Sequence, residues 1–287
     1  MLAHNYQRAE IQEIADLTGD SYELSVRASR TDAAVIVFCG VRFMAESAKI
    51  LSPGKTVLLP NADAGCPMAD MISAEELGKL KSLHPDAYVV SYVNTNADVK
   101  ALSDVCCTSS NAVDIVRAVP GNTVIFVPDK NLGSYVRRFV DKEMIIWDGY
   151  CPTHHHVHPE EVALLKRQHP GALFLCHPEC RPEVVGLADM VTSTSGIIRF
   201  AKEDTHTEFI IGTEEGILYQ LRKNSPEKRF LIASNGFVCP NMKRTRLEDV
   251  VAALEQGRHE IRLSPGIIEK ARIPLERMIA MGAAATQ

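Results

Sequence analysis

Short apolar runs and amphipathic stretches alternate along this chain, and the alternation predicts a fold class before any single residue is weighed. The runs AAVIVFC (33–39), KTVLLP (55–60), AYVVSYVN (87–94), NTVIFVP (122–128), EMIIWD (143–148), ALFLCHPE (172–179), TEFIIGT (207–213) and RFLIAS (229–234) are rich in Val, Ile, Leu and Phe. Near-continuous apolar runs of this length suit strands buried on both faces. Between them FMAESAKIL (43–51), EELGKLKSLHP (75–85), LGSYVRRFV (132–140), EEVALLKRQHP (160–170) and ILYQLRKN (217–224) repeat apolar positions at helical spacing. The pattern predicts parallel α/β sheets with right-handed crossovers, which bring every strand's C-terminal end to one edge. Ligands bind at that edge in open α/β sheets.

The pattern is also written three times. IADLTGDSYELSVRA (14–28), LSDVCCTSSNAVDIVRA (102–118) and LADMVTSTSGIIRFA (187–201) place Asp16, Asp104 and Asp189 in register, 88 and 85 residues apart. Each unit closes on a Cys-Pro dipeptide, at Cys66, Cys151 and Cys239, 85 and 88 residues apart, and none of the other five cysteines precedes a proline. A period of ~85–88 is too long for a solenoid repeat of roughly 20–50 residues. The expectation is three homologous three-layer α/β/α domains with small parallel sheets around a pseudo-threefold axis. Their bounds are 1–66 together with 262–287, 67–151, and 152–261. A single doubly wound sheet would not explain why the Cys-Pro and Asp registers agree. The first unit lacks the helix that should feed its first strand, and the segment 247–281 is expected to pack back on it.

Composition narrows the class. A chain of 287 residues, 46% hydrophobic, can bury one large core or several small ones. Its net charge of −5 argues against nucleic acid or an anionic membrane surface as the main partner. No apolar run approaches the ~20 residues of a membrane span, and MLAHNYQRAE does not read as a signal peptide. Eight cysteines without secretion signals favour thiols or metal ligands in a reducing, cytoplasmic compartment over disulfides.

The register then gathers candidate chemistry. Three thiolates at matching ends of three repeats can meet at one metal centre and leave it an open position, which suits catalysis. Ten residues before the aligned aspartates stand Tyr6, Asn94 and Glu179, and twelve before stand His4, Tyr92 and His177. Residues two apart at a strand end point to the same face. Five residues after the aspartates, Ser21, Ser109 and Thr194 open the following helices, where hydroxyls suit N-caps and helix starts suit anions. In the loop HHHVH (154–158), His154 is expected to enter the site. Cys106–Cys107 and Cys176–Cys180 lack a matching second pair and are expected to be core or substrate-facing thiols.

These motifs resemble those of the quinolinate synthase family over essentially the whole chain. They are LAHNYQ (2–7), GVRFMAE (40–46), GCPMAD (65–70), SYVNTNADVKALSDV (91–105), TSSNAV (108–113), PDKNLG (128–133), GYCPTH (149–154), HPEC (177–180), TSTSG (192–196) and CPNMK (239–243). The resemblance implies a 4Fe–4S cluster held by Cys66, Cys151 and Cys239 with its fourth iron open to substrate. It implies a transferase of NAD biosynthesis that condenses iminoaspartate with dihydroxyacetone phosphate to quinolinate, phosphate and water. It also implies a functional link to an enzyme that makes iminoaspartate, L-aspartate oxidase or aspartate dehydrogenase. For that reaction Glu179 is the expected main base, with Tyr6 and His177 as further acid–base groups. Tyr92, Asn94 and His4 would position the substrate, and Ser21, Ser109, Ser193, Thr194 and His154 would hold its carboxylates and phosphate. Three departures are visible: family members usually begin with a further helix, GYCPTH stands where a His often precedes the Cys, and TSSNA stands where TSANA is common. Two other readings remain, another iron–sulfur hydro-lyase and a non-catalytic iron–sulfur or zinc sensor.

Overall fold

The computed structural model describes residues 1–284. Each apolar run forms a strand, and the N-terminal β1 with three short edge strands completes three four-stranded sheets. The first sheet holds β1 (Leu2–His4), β2 (Leu17–Gly19), β3 (Val35–Cys39) and β4 (Thr56–Leu58), linked by α1 (Ala9–Ile14), α2 (Ser21–Arg30) and α3 (Arg42–Leu51). Helix α4 (Ala74–Leu83) leads into the second: β5 (Tyr88–Tyr92), α5 (Ala97–Lys100), β6 (Val105–Cys107), α6 (Ala112–Ala118), β7 (Thr123–Val127), α7 (Lys130–Arg137) and β8 (Glu143–Ile146). Helices α8 (Pro152–His155) and α9 (Pro159–Gln168) lead into the third: β9 (Leu173–Cys176), α10 (Pro182–Val185), β10 (Met190–Val191), α11 (Thr194–Glu203), β11 (Glu208–Gly212), α12 (Ile217–Asn224) and β12 (Arg229–Ile232). Two helices follow, α13 (Leu247–Gln256) and α14 (Pro265–Ala284).

All strand pairs within the sheets are parallel, and the three sheets share one order: β2-β1-β3-β4, β6-β5-β7-β8 and β10-β9-β11-β12. Both faces of each sheet are buried, which explains the uninterrupted apolar runs. In the third sheet Phe174 and Ile210 pack into one layer, while Leu175, Phe209 and Ile211 pack into the other. The second sheet splits Val90, Val124 and Phe126 from Val89, Ile125 and Val127 in the same way. The first splits Leu2, Ile36 and Phe38 from Ala3, Val37 and Cys39. This is the three-layer α/β/α arrangement expected from the sequence.

The aligned aspartates have a structural task. The Val89 N–H donates to Asp104 Oδ2 at 2.8 Å and the Phe174 N–H to Asp189 Oδ2 at 2.7 Å, each across 15 residues. The amino group of Met1 pairs with Asp16 in the corresponding place. The Asp104 and Asp189 amides donate back to the carbonyls of Val89 and Phe174 at 3.0 and 2.9 Å. Each aspartate therefore ties the short edge strand to the entry of its sheet's first strand. This bracket sets how far both strands run before their C-terminal ends reach the centre.

The C-terminal segment joins two sheets. Val250 and Ala253 of α13 pack beside Ala3, Val37 and Leu58, and the Ile261 N–H donates to the Val57 carbonyl at 2.8 Å along the β4 edge. Helix α14 packs against α3 of the first sheet and against α5, α6 and β6 of the second. Its Ala271, Leu275 and Met278 are buried in the core shared by the two.

Candidate active site

The identical sheet order places equivalent loops at equivalent points of the centre. His4 ends β1, Tyr92 ends β5 and His177 follows β9, with Tyr6, Asn94 and Glu179 two residues further along. The first and third units use the same turn. The Tyr6 N–H donates to His4 Nδ1 at 3.1 Å and the Glu179 N–H to His177 Nδ1 at 3.3 Å. Each ring is thereby fixed with Nε2 as its free end, and His177 Nε2 lies 3.1 Å from Ser109 Oγ. One cavity of about 130 Å³ receives these loops from all three sheets. His4, Tyr6, Tyr92, Asn94, His177 and Glu179 line it, and so do Ser21, Ser109, His154 and Thr194.

Ser193 does not line the cavity. It is buried as the N-cap of α11, where its Oγ accepts from the Gly196 N–H at 3.2 Å. Ser21, by contrast, is not a cap: Asp20 caps α2, accepting from the amides of Tyr22 and Glu23 at 3.0 and 3.1 Å, with Glu23 closing a capping box. A carboxylate one residue earlier competes successfully for the orphan amides, and Ser21 is left to face the cavity.

Glu179 is the hub of a buried polar network. Its Oε1 accepts from the Tyr92 hydroxyl at 2.6 Å, and Asn94 Nδ2 stands 3.5 Å away. Its Oε2 lies 2.8 Å from His154 Nδ1. Asn131, on α7, donates to the Glu179 carbonyl at 2.9 Å and so holds its backbone from the second sheet. Both ring nitrogens of His154 are engaged, Nδ1 with Glu179 and Nε2 with Thr213 Oγ1 at 2.9 Å. His154, which lines the cavity as the sequence suggests, is thus also held against the Glu179 carboxylate.

Burial and this network set the protonation states. Desolvation pushes His4 down to about 3 and His177 to about 4, so both are neutral imidazoles at pH 7. Burial alone would raise Glu179, but the neighbouring His154 and His177 and the Tyr92 hydroxyl outweigh it and hold the carboxyl at about 2. Burial and then the Glu179 charge raise Tyr6 and Tyr92 well above the usual phenol. The Glu179 carboxylate thus sits among neutral imidazoles of His4 and His177 and protonated phenols of Tyr6 and Tyr92.

Cys66, Cys151 and Cys239 are free thiols that also line the cavity, arriving after β4, β8 and β12. Burial pushes Cys66 up to about 12, with Cys239 and Glu179 raising it further, and raises Cys151 well above the usual thiol, with Glu179, Cys239 and Cys66 adding to it; burial raises Cys239 as well. A cysteine ligand must be deprotonated, and a bound cation is what would offset that cost. The Cys151 sulfur, a His154 ring nitrogen and a Glu179 oxygen lie within 4.8 Å of one another, so the centre includes a group able to hold a metal. Cys39, Cys106, Cys107, Cys176 and Cys180 are buried in the sheet cores and none lines the cavity.

Nothing in the sequence singled out Thr213, Glu214, Asp129 or Lys243. Glu214 is fully buried; its Oε1 accepts from the Cys239 N–H at 3.0 Å, and its Oε2 from the Gly216 N–H at 2.7 Å. Lys243 Nζ reaches Glu214 Oε1 at 2.9 Å and the Tyr6 carbonyl at 2.8 Å, tying the Cys239 loop to the first sheet. Asp129 is the position equivalent to Glu214 one repeat earlier. It caps α7 through the amides of Asn131 and Leu132 at 2.7 and 2.9 Å, just ahead of the Cys151 loop. The 85-residue register that aligned the aspartates also aligns these two acids, and was the signal that could have found them.

Comparison with known proteins agrees with this geometry. The sequence model described as Quinolinate synthetase A protein matches residues 1–280. A quinolinate synthase of Geotalea uraniireducens is 56% identical over 281 residues, 98% of this chain and 92% of that protein. Those of Thermodesulfovibrio yellowstonii and Methanoregula boonei are each 54% identical, over 98% of this chain and 93% of theirs. With residues 1–280 matched and its strand-end residues converging on one cavity, the chain belongs to the quinolinate synthase family.

Proposed function

We propose that this protein condenses iminoaspartate with dihydroxyacetone phosphate to give quinolinate, phosphate and water, using a 4Fe–4S cluster held by Cys66, Cys151 and Cys239. The observation that carries this reading is the arrival of three free thiols, one from each sheet, at the cavity that also receives Glu179, Tyr6 and His177. The donor set fits the cluster: three sulfurs, none paired in a disulfide, beside a carboxylate and neutral imidazoles. When bound, the cluster would supply an open iron that polarises a substrate oxygen as a Lewis acid.

The chain's own groups account for the rest. Glu179, ionised and gripped by Tyr92 and His154, is the general base. Tyr6 faces the cavity with its proton held by burial, which suits donation to a substrate oxygen and return of the proton afterwards. His177, neutral and aimed by the Glu179 amide, offers Nε2–H as a donor toward Ser109 and the substrate. His4, Asn94, Ser21, Ser109 and Thr194 supply polar contacts to a small multi-anionic substrate. Ser193 acts through its cap on α11, and His154 through Glu179. Such a reaction requires a supplier of iminoaspartate, an aspartate oxidase or dehydrogenase.

The test is an anaerobic assay of quinolinate formation from dihydroxyacetone phosphate and freshly generated iminoaspartate. Protein purified without oxygen should be brown and hold about four irons. The close approach of Cys151, His154 and Glu179 favours a second reading, a mononuclear centre with mixed S, N and O donors. A colourless protein with one zinc would select it, and an iron-loaded protein that makes no quinolinate would point to another hydro-lyase.

A further inference from the structure

Thr213 lies behind the cavity wall, fully buried, one residue beyond β11. Its Oγ1 is 2.6 Å from the Tyr6 hydroxyl and 2.9 Å from His154 Nε2. Its two partners enter from different places, Tyr6 from the loop after β1 of the first sheet and His154 from α8. The hydroxyl has one proton to give and must serve both. His154 Nδ1 faces the Glu179 carboxylate at 2.8 Å and the Cys151 sulfur at 3.2 Å, so this tautomer carries its proton on Nδ1. In the neutral ring Nε2 is then an acceptor and takes the Thr213 proton. Thr213 in turn accepts from Tyr6, and Tyr6 accepts from Thr194 Oγ1 at 2.8 Å. Every donor in this chain has one direction.

The positions equivalent to Thr213 in the first two repeats are Gly40 and Pro128, which have no side-chain hydroxyl. The bridge therefore exists only in the third repeat, one hydrogen bond removed from the Glu179 carboxylate. A threonine buried merely for packing could be valine, whose shape is nearly the same. Valine here would strand both His154 Nε2 and one side of the Tyr6 hydroxyl in a dry site, where unpaired polar groups are costly.

We infer that Thr213 is a positioning residue that orients the Tyr6 hydroxyl and the His154 imidazole against each other, so that Tyr6 and Glu179 act as one connected set. The inference rests on the proposed quinolinate-forming reaction for its kinetic part and on the hydrogen-bond geometry for its spectroscopic part. The two parts are tested separately.

Thr213→Val and Thr213→Ser are compared with the parent chain. In the iron-loaded enzyme, Thr213→Val should lower kcat about 10–100-fold with little change in KM, because geometry and not binding is lost. Thr213→Ser, which keeps the hydroxyl, should recover most of that rate. In the metal-free chain, the His154 Nε2 resonance in a nitrogen-15 spectrum should move downfield in Thr213→Val and return in Thr213→Ser. Should the valine variant not fold, Thr213→Ala takes its place with the same two readouts. Full activity in the hydroxyl-free variant, or an unmoved Nε2 resonance, overturns the inference. Equal impairment of the serine and valine variants also overturns it, because the methyl group and not the hydroxyl would then matter. If the parent chain makes no quinolinate, the proposed reaction fails while the spectrum still decides the role of Thr213.

Discussion

Glu179 is the carboxylate on which the centre's histidines and tyrosines converge. Glu179 accepts from Tyr92 and pairs with His154, so its amide counterpart would keep the volume and lose the base. Glu179→Gln is expected to keep bound iron and lose about 10²–10⁴-fold in turnover; iron loss in that variant would assign Glu179 a structural task. The neutral histidines bring a pH dependence of definite sign. His4 and His177 titrate near 3 and 4 in the folded chain against an ordinary 6.5. Between those values the unfolded chain binds protons that the folded chain refuses, so stability falls as pH drops from 6.5 toward 4. Glu179, held at about 2 against 4.5, extends the loss below pH 4.5. Urea midpoints measured across this range should fall with pH, and His4→Asn should flatten the slope; an unchanged slope would show that His4 is not buried neutral. Away from the cavity, Asp104→Ala should cost about 1–3 kcal/mol by orphaning the Val89 amide. A denaturant titration would measure it.

At the scale of elements, much was legible because the chain repeats itself. A parallel strand delivers its C-terminal end to the same edge in each sheet, so residues at one offset from Asp16, Asp104 and Asp189 reach one place. The offset was readable without knowing that the aspartates bracket the strand entries. The edge strands β2, β6 and β10, two or three residues long, were too short to stand out as strands. Nor was Thr213 legible. Its partners lie 207 and 59 residues away, and the equivalent Gly40 and Pro128 gave no pattern to follow. The Ser21 position shows a related limit, since a hydroxyl at a helix start looks like a cap until the neighbouring Asp20 takes that role. Elements also meet closely at Gly216, before α12, where an added Cβ would sit 2.7 Å from the Tyr6 backbone. Gly216→Ala should therefore push α12 off the β1 loop, lowering both activity and melting temperature. A variant with parental activity would show that the loop can yield.

For the whole molecule, three sheets that each bury their own faces still share one centre. Sheets one and two are further joined by α14, and sheets one and three by Lys243 on Tyr6 and by Gln12 on Gly216. Removing any one thiol should disable a centre that needs all three. Cys66→Ala, Cys151→Ala and Cys239→Ala are each expected to abolish activity with loss of bound iron, whereas Cys106→Ala should leave both in place. Iron content and quinolinate formation measured together would check this, and an equal requirement for Cys106 would contradict the ligand assignment.

The order of the three cysteines also has a consequence for biosynthesis. Two thiols emerge from the ribosome with the first two sheets, but Cys239 follows only after the last strand of the third. Helix α14, which clasps the first two sheets together, comes later still. A nascent chain halted before Cys239 offers at most two of the three sulfurs, so with the proposed ligand set, loading of iron would be a late event that awaits a nearly finished polypeptide. The spacing of the repeats would then act as a timer, delaying metallation until the pocket has all of its walls.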